Sequence, residues 1–265
     1  MTTLLEVRDL TQRFGGLTAV DQVSFGIAAG RVSAVIGPNG AGKTTLFNLI
    51  SGFQRPVGGS IHFEGRDITG LAPHRIAAEG LVRTFQLVQL FSELTARQNV
   101  EAGCHLRGRG GVWAALSRHR RAREELAESA RVAQELLAFV GLDSRAETEA
   151  GALTYGQQRL LEVARALAAG PRLLLLDEPA AGLNAIETDA LADTIGRIIA
   201  RGITVLLIEH DMNLVMRVAS HIVVLDFGRK IAEGTPEQIQ QDPAVLEAYL
   251  GGADLSTAIA QDAGA

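Results

Sequence analysis

The residues Gly37-Pro38-Asn39-Gly40-Ala41-Gly42-Lys43-Thr44 follow directly on the apolar run Val32-Ser33-Ala34-Val35-Ile36. Glycines at this density let a backbone wrap an anion closely and turn its N–H groups inward, an approach that side chains would block. Lys43 is placed to reach terminal phosphates, and Thr44 to offer a hydroxyl to Mg²⁺, with Thr45 beside it. The helix expected through Leu46, Phe47 and Ile50 would point its positive end at the bound charge. A glycine turn that happens to carry a lysine would share the composition but not the spacing, the strand before and the helix after. The stretch reads as a phosphate-binding loop for a nucleoside triphosphate. Kinases, GTPases, helicases and transport motors share that loop, so the rest of the chain must discriminate.

A second constellation is Leu173-Leu174-Leu175-Leu176 running into Asp177-Glu178-Pro179. A buried strand ending in two acids brings both carboxylates to the carboxyl edge of a sheet, where open α/β folds bind their ligands. There Asp177 would hold Mg²⁺, directly or through water, and Glu178 would accept a proton from the water attacking the γ-phosphate. The alternative is a strand end with a solvated turn, which the loop upstream disfavours. His210 follows the next apolar run, Val205 to Ile208, and should reach the same edge to hydrogen-bond the γ-phosphate. A surface histidine is the plainer reading of that residue taken alone.

The elements that must position these groups are legible in outline. Residues Leu4 to Leu10 and Ala19 to Ile27 alternate like half-buried strands around a turn at Phe14-Gly15-Gly16, which predicts an antiparallel β layer. Gly58-Gly59-Ser60 opens a short strand through Ile61 and Phe63, and Val82 to Phe85 is a further strand candidate. From Thr95 to Leu142 the pattern is helical, with Leu126, Ala130, Ala133, Leu137 and Val140 on one face and Gly141 as the stop. A parallel-sheet rhythm returns with Leu173 to Leu176, a helix over Ile186 to Ile199, the strand Thr204 to Ile208, a helix from Met212 and the strand Ile222 to Leu225. The fold class expected is therefore α/β: a mainly parallel core sheet, an N-terminal antiparallel β layer and an inserted helical lobe. The corresponding division is a nucleotide-binding core over 1–86 and 160–250, a helical lobe over 87–159, and a tail over 251–265 whose small residues predict disorder. Pro243 to Leu250 reads as a short helix with Val245, Leu246 and Tyr249 on one side.

Composition narrows the class. With 265 residues, 47% hydrophobic and 21% charged, the chain has the balance of an ordinary globular protein. A net charge of −5 lacks the basic footprint of polyanion binding, so no nucleic-acid partner is expected. The apolar runs are strand-length, no signal peptide is expected, and the single Cys104 allows no internal disulfide, which suits a reducing cytoplasm.

The order of phosphate loop, Thr84-Phe85-Gln86, Leu153-Thr154-Tyr155-Gly156-Gln157-Gln158-Arg159, the Asp177-Glu178 strand and Ile208-Glu209-His210-Asp211 resembles the ATP-binding subunits of ABC transporters, over nearly the whole chain. The resemblance implies the ABC-type ATPase fold, ATP and Mg²⁺ as cofactors, and a head-to-tail dimer. In that dimer Thr154, Tyr155, Gly156 and Gln157, the family signature, close over the γ-phosphate held by the partner subunit. A hydroxyl, a glycine and free N–H groups at a helix start are chemically suited to such an anion site. The resemblance further implies that Gln86 senses Mg²⁺ and the attacking water, that Phe14 stacks on adenine, and that Ala180-Ala181-Gly182-Leu183-Asn184 crosses the dimer interface. For Phe14, a turn hydrophobe under the sheet is the competing reading. Three positions depart from the common pattern: Thr154 for serine, Tyr155 for glycine and Asn184 for aspartate.

Within the family, Phe14-Gly15-Gly16-Leu17-Thr18-Ala19-Val20, Tyr155-Gly156-Gln157-Gln158-Arg159, Glu178-Pro179-Ala180-Ala181-Gly182-Leu183-Asn184 and the ending Gly234-Thr235-Pro236-Glu237 through Ala248-Tyr249-Leu250-Gly251 are similar to the ATPases of branched-chain amino-acid importers. That resemblance implies a motor subunit peripheral to the cytoplasmic face of the inner membrane. Its partners would be a second ATPase subunit, two transmembrane permease subunits and, indirectly, a solute-binding protein. Lipid or lipopolysaccharide export is the rival within transport, and a non-transport ABC ATPase the rival outside it. The cluster Arg107-Gly108-Arg109 and Arg118-His119-Arg120-Arg121 is either a solvated helix face or a contact with anionic lipid or an acidic partner.

Overall fold

The computed structural model describes residues 3–84, 89–104 and 120–250. At the N-terminus, strands β1 (Thr3–Phe14) and β2 (Leu17–Ala28) form an antiparallel hairpin whose turn is Gly15-Gly16. It carries β4 (Gly58–Phe63) and β5 (Arg66–Asp67) into a four-stranded antiparallel sheet of order β2-β1-β4-β5.

The second sheet holds six strands in the order β10-β9-β3-β8-β7-β6, from β3 (Val32–Ile36), β6 (Leu81–Arg83), β7 (Leu173–Asp177), β8 (Thr204–Ile208), β9 (His221–Asp226) and β10 (Arg229–Gly234). All its pairings are parallel except β9 with β10. Every residue of β3, β7 and β8 is buried, because both faces of the sheet are covered. The period of two divides them: Leu173 and Leu175 join the cluster that contains β1, β2 and helix α1 (Lys43–Ile50), while Leu174 and Leu176 face the cluster built by the later helices.

Helix α2 (Pro73–Ala78) joins the first cluster through Ile76, and the later helices are α3 (Ala96–Gly103), α4 (Arg120–Phe139), α5 (Tyr155–Ala168), α6 (Ala185–Ala200), α7 (Met212–Val218), α8 (Pro236–Gln241) and α9 (Pro243–Leu250). Helices α3, α4 and α5 pack on one another, and Gly141 ends the α4 segment with φ of 75°. The stripe expected along α4 is buried at Ala133, Leu137 and Val140, but Leu126 is 71% exposed. Over 124–139, the part of this helix whose side chains are described, burial begins at Val132, so the stripe outruns its packing there. The expected strand Val82 to Phe85 is instead Leu81–Arg83, paired to Leu173 through Leu175, and Phe85 lies outside the described residues. The 251–265 tail also lies outside them, as does 105–119, which takes in most of the arginine cluster. Among the described residues no helix is long and apolar enough to cross a membrane.

Candidate functional site

Strand β3 delivers the chain to Gly37 between β9 and β8, in the middle of the six-stranded sheet. Two glycines of the loop have no alternative. A Cβ on Gly37 would lie 2.1 Å from the Leu225 carbonyl oxygen, and one on Gly42 would lie 2.3 Å from that of Ala19, both at positive φ. Gly42 is the N-cap of α1 and supplies no side-chain cap, so the first-turn N–H groups point into the loop without one. Lys43 is buried, and its Nζ donates to the carbonyls of Gly37 at 2.6 Å and Pro38 at 3.0 Å, closing the loop on itself. Burial lowers the lysine pKa, and the charge of Glu178 opposes that shift. Thr44 is exposed at the loop mouth and Thr45 half-buried beside it, with Pro38, Asn39, Gly40 and Ala41 completing the turn.

The parallel register brings the strand ends level: Asp177 pairs with Ile208, and Ile208 with Val35. Strand β8 therefore stands between the phosphate loop and the acids. Asp177 is buried; its Oδ2 accepts 2.6 Å from Arg83 Nη2, while Oδ1 is buried with no hydrogen-bond partner among the described residues. Among the described residues no group of three or more His, Cys, Asp or Glu could hold a metal. Mg²⁺ keeps several waters and substrate phosphates and takes one or two protein oxygens. Asp177 Oδ1 and the Thr44 hydroxyl are the oxygens that the sequence reading offers for it.

Glu178 adopts φ of 45°, and its N–H donates to Ile208 O at 3.0 Å, which ties it to the end of β8. Its Oε2 lies 3.9 Å from Nδ1 of His210, too far for a hydrogen bond but close enough for both to serve one ligand. Between them Glu209 is fully buried. It accepts the N–H of Ala180 at 2.8 Å, of His210 at 3.0 Å and of Asp211 at 3.3 Å, joining the segment after Glu178 to the segment carrying His210. Burial raises its carboxyl above the ordinary value, and those three N–H bonds offset part of the rise.

The Thr154–Gln157 group opens α5. Thr154 caps the helix, accepting from Gln157 N at 3.3 Å while Gln157 Oε1 accepts from Thr154 N at 3.1 Å. The sequence suggested a hydroxyl beside free N–H groups; one of those N–H groups is instead occupied by that hydroxyl. Tyr155 packs toward the next loop, its ring 3.1 Å from where a Cβ on Gly182 would sit, with the Arg159 guanidinium 5.7 Å from its centroid. Gly156 is the position without room, since a Cβ there would meet Glu187 Oε1 at 2.4 Å. Glu187 is held there by a second capping box with Asn184, the N-cap of α6. Arg159, buried and paired with Glu162 at 3.0 Å, also donates to the Glu178 carbonyl at 3.4 Å.

Phe14 is 45% exposed at the hairpin tip, which removes the reading that tucks it under the sheet. Gln86 lies outside the described residues. Sequence reasoning did not single out Arg83, Glu209 or Glu187. The signal available for the first two was a charged residue set against an apolar strand, at Leu81-Val82-Arg83 and at Ile208-Glu209.

Comparisons with known proteins agree in one direction. A family model described as ABC transporter matches residues 20–181, and one described as branched-chain amino acid ATP-binding cassette transporter matches 229–254. The high-affinity branched-chain amino acid transport ATP-binding protein BraF of Pseudomonas aeruginosa is 49% identical over 249 residues, covering 94% of this chain and 98% of its own. LivG of Escherichia coli, named for the same role, is 43% identical over 249 residues with the same coverage. Among solved structures, the ADP conformation of MJ1267, an ATP-binding cassette of an ABC transporter, superposes with a TM-score of 0.83 at 32% identity, covering 95% of this chain and 100% of that one.

Proposed function

Because this chain belongs to the ABC transporter ATP-binding family and is a transport-coupled ATPase, we propose that it is the motor subunit of an importer for branched-chain or related amino acids. The similarity to BraF and LivG over 94% of the chain carries this reading, together with the match at 229–254. In this reading the protein works at the cytoplasmic face of the inner membrane as a peripheral subunit. It pairs with a second ATPase subunit and couples to two permease subunits and, through them, to a solute-binding protein. The core (1–86 and 160–250) binds nucleotide, and the lobe (87–159) carries the signature, with α5 bridging the two.

The chemistry we assign to the site draws on its geometry and on the family resemblance. ATP phosphates enter the loop Gly37–Thr45, and Lys43 exchanges the Gly37 and Pro38 carbonyls for phosphate oxygens. Thr44 and Asp177, with Gln86, would hold Mg²⁺, which supplies charge neutralisation on the phosphates when bound. Glu178 takes a proton from the attacking water; the water oxygen bonds the γ-phosphorus as the bond to the β–γ bridging oxygen breaks. His210 hydrogen-bonds the γ-phosphate from the neighbouring strand end, and Phe14 stacks on the adenine. Thr154, Tyr155, Gly156 and Gln157 face the γ-phosphate of the partner subunit.

The test is to purify tagged Glu178→Gln protein from native membranes with ATP and Mg²⁺ and to identify what remains bound by mass spectrometry. Recovery of a related ATPase, two membrane proteins and an amino-acid-binding protein is the expected result. Lipid-export or ribosomal partners would overturn the importer reading.

A further inference from the structure

Glu209 is the first residue after strand β8, it is fully buried, and its side chain runs between the two segments that carry Glu178 and His210. On one side Oε1 accepts from Ala180 N at 2.8 Å; on the other Oε2 accepts from His210 N at 3.0 Å and Asp211 N at 3.3 Å. The two oxygens therefore serve different strand ends. Those ends leave β7 and β8, neighbours in the sheet, so the carboxylate ties the chain together just past the ladder pair of Asp177 with Ile208.

Both segments need that tie. Glu178 has φ of 45°, a left-handed conformation that a residue with a side chain keeps only where its surroundings fix it. Its N–H donates to Ile208 O at 3.0 Å and its carbonyl accepts from Ala181 N at 3.2 Å, while the bond from Ala180 to Glu209 holds the turn between them. The His210 side chain is 60% exposed, so its place is set by its backbone. Glu209 holds that backbone from one side, and from the other Asp211 caps α7, accepting from Asn213 N at 2.9 Å and Leu214 N at 3.1 Å. One buried carboxylate thus stands behind the 3.9 Å approach of Glu178 Oε2 to His210 Nδ1.

We propose that Glu209 is a positioning residue for hydrolysis: it sets the spacing of Glu178 and His210 from beneath the site, without touching nucleotide. The proposal rests on the reading of Glu178 as the base and His210 as a γ-phosphate ligand. Glutamine is the diagnostic replacement, because it keeps the length but has a single acceptor oxygen and a nitrogen that only donates. It can accept from Ala180, or from His210 and Asp211, but not from both sides. One segment is then released, and misplacing a reacting group by about 1 Å costs on the order of 10²-fold in rate.

The experiment measures phosphate release, ATP dissociation constants and thermal midpoints for the tagged full chain purified from native membranes, and for its variants. Glu209→Gln should lower kcat about 10- to 100-fold and leave the dissociation constant unchanged. Glu209→Asp keeps both acceptor oxygens but shortens the reach by one methylene, and it should lower kcat as well. Ile198→Ala opens the core beside the opposite end of β8, where the Ile198 carbonyl accepts from Ile203 N; it should lower the thermal midpoint and leave kcat unchanged. In the Glu178→Gln background, Glu209→Gln should leave the residual rate unchanged, because residues that act as a unit are not additive. Wild-type kcat in either Glu209 variant, a matching loss of ATP affinity, an equal loss of kcat in Ile198→Ala or additivity with Glu178→Gln overturns the positioning role. Near wild-type turnover in Glu178→Gln alone overturns the base, and the positioning role with it.

Discussion

Arg83→Met is the substitution whose cost the structure sets most sharply. The Arg83 and Asp177 side chains are 6% and 2% exposed, and the guanidinium makes three contacts of ordinary length: 2.6 Å to Asp177 Oδ2, 2.8 Å to Asn48 Oδ1 and 2.9 Å to Ser51 Oγ. Its carbon lies 5.7 Å from the ring centroids of both Phe47 and Phe53. Methionine fills much of that space between the rings but takes away the counter-charge of an aspartate whose other oxygen is already an orphan. Removing one member of a buried pair costs about 3–5 kcal/mol. At about 2–4 °C per kcal/mol for a chain of this size, the melting point should fall by roughly 6–20 °C. Asp177→Asn should cost a similar amount, because it leaves the guanidinium charge uncompensated by Asp177. The double variant removes both charges and should cost less than the sum of the singles by about 2 kcal/mol, within the range found for residues in contact. Urea denaturation of all four proteins in EDTA without nucleotide isolates this from any role of Asp177 in metal binding. A loss below about 1 kcal/mol for Arg83→Met, the scale of an exposed pair, or strict additivity, would refute the buried-charge argument.

Glu178→Gln should keep ATP affinity within about twofold and lower turnover by about 10²–10⁴; phosphate release near the wild-type rate would remove Glu178 from the role of base. Glu209 has its carboxyl raised above 4.5 by burial, so the folded protein holds that proton more tightly than the unfolded chain. Its contribution to stability is therefore present below pH 4.5 and is lost as pH rises through the folded value. Urea midpoints measured upward from pH 4.5 should slope downward less in Glu209→Gln, and an unchanged slope would contradict the assignment. Gly156→Ala would place a Cβ 2.4 Å from Glu187 Oε1 and force that side chain out of its cap on Asn184 N. It should cost about 0.5–2 kcal/mol, the worth of a helix cap. Thermal melts should show that Gly156→Ala with Glu187→Ala costs no more than Glu187→Ala alone, since the clash is then gone.

What the sequence by itself determined is whatever is written in one contiguous stretch. The phosphate loop is legible because Gly37, Gly40, Gly42, Lys43 and Thr44 must be neighbours to wrap an anion, and the run Val32 to Ile36 before them can only be a buried strand. The same holds for Leu173 to Leu176 with Asp177 and Glu178, and for the helix start at Thr154, although the cap that the Thr154 hydroxyl makes there was seen only in the structure. Only the tertiary structure decided that β8 stands between the loop and the acids, that Arg83 balances Asp177, and that Glu209 gathers the N–H of Ala180. It also decided that the stripe on α4 stops short of Leu126. A hydrophobic period reports that a face is buried but not what buries it. A buried charge or hydroxyl finds its partner only when sheet order and helix packing close the chain over many residues, and no local window of sequence contains that closure.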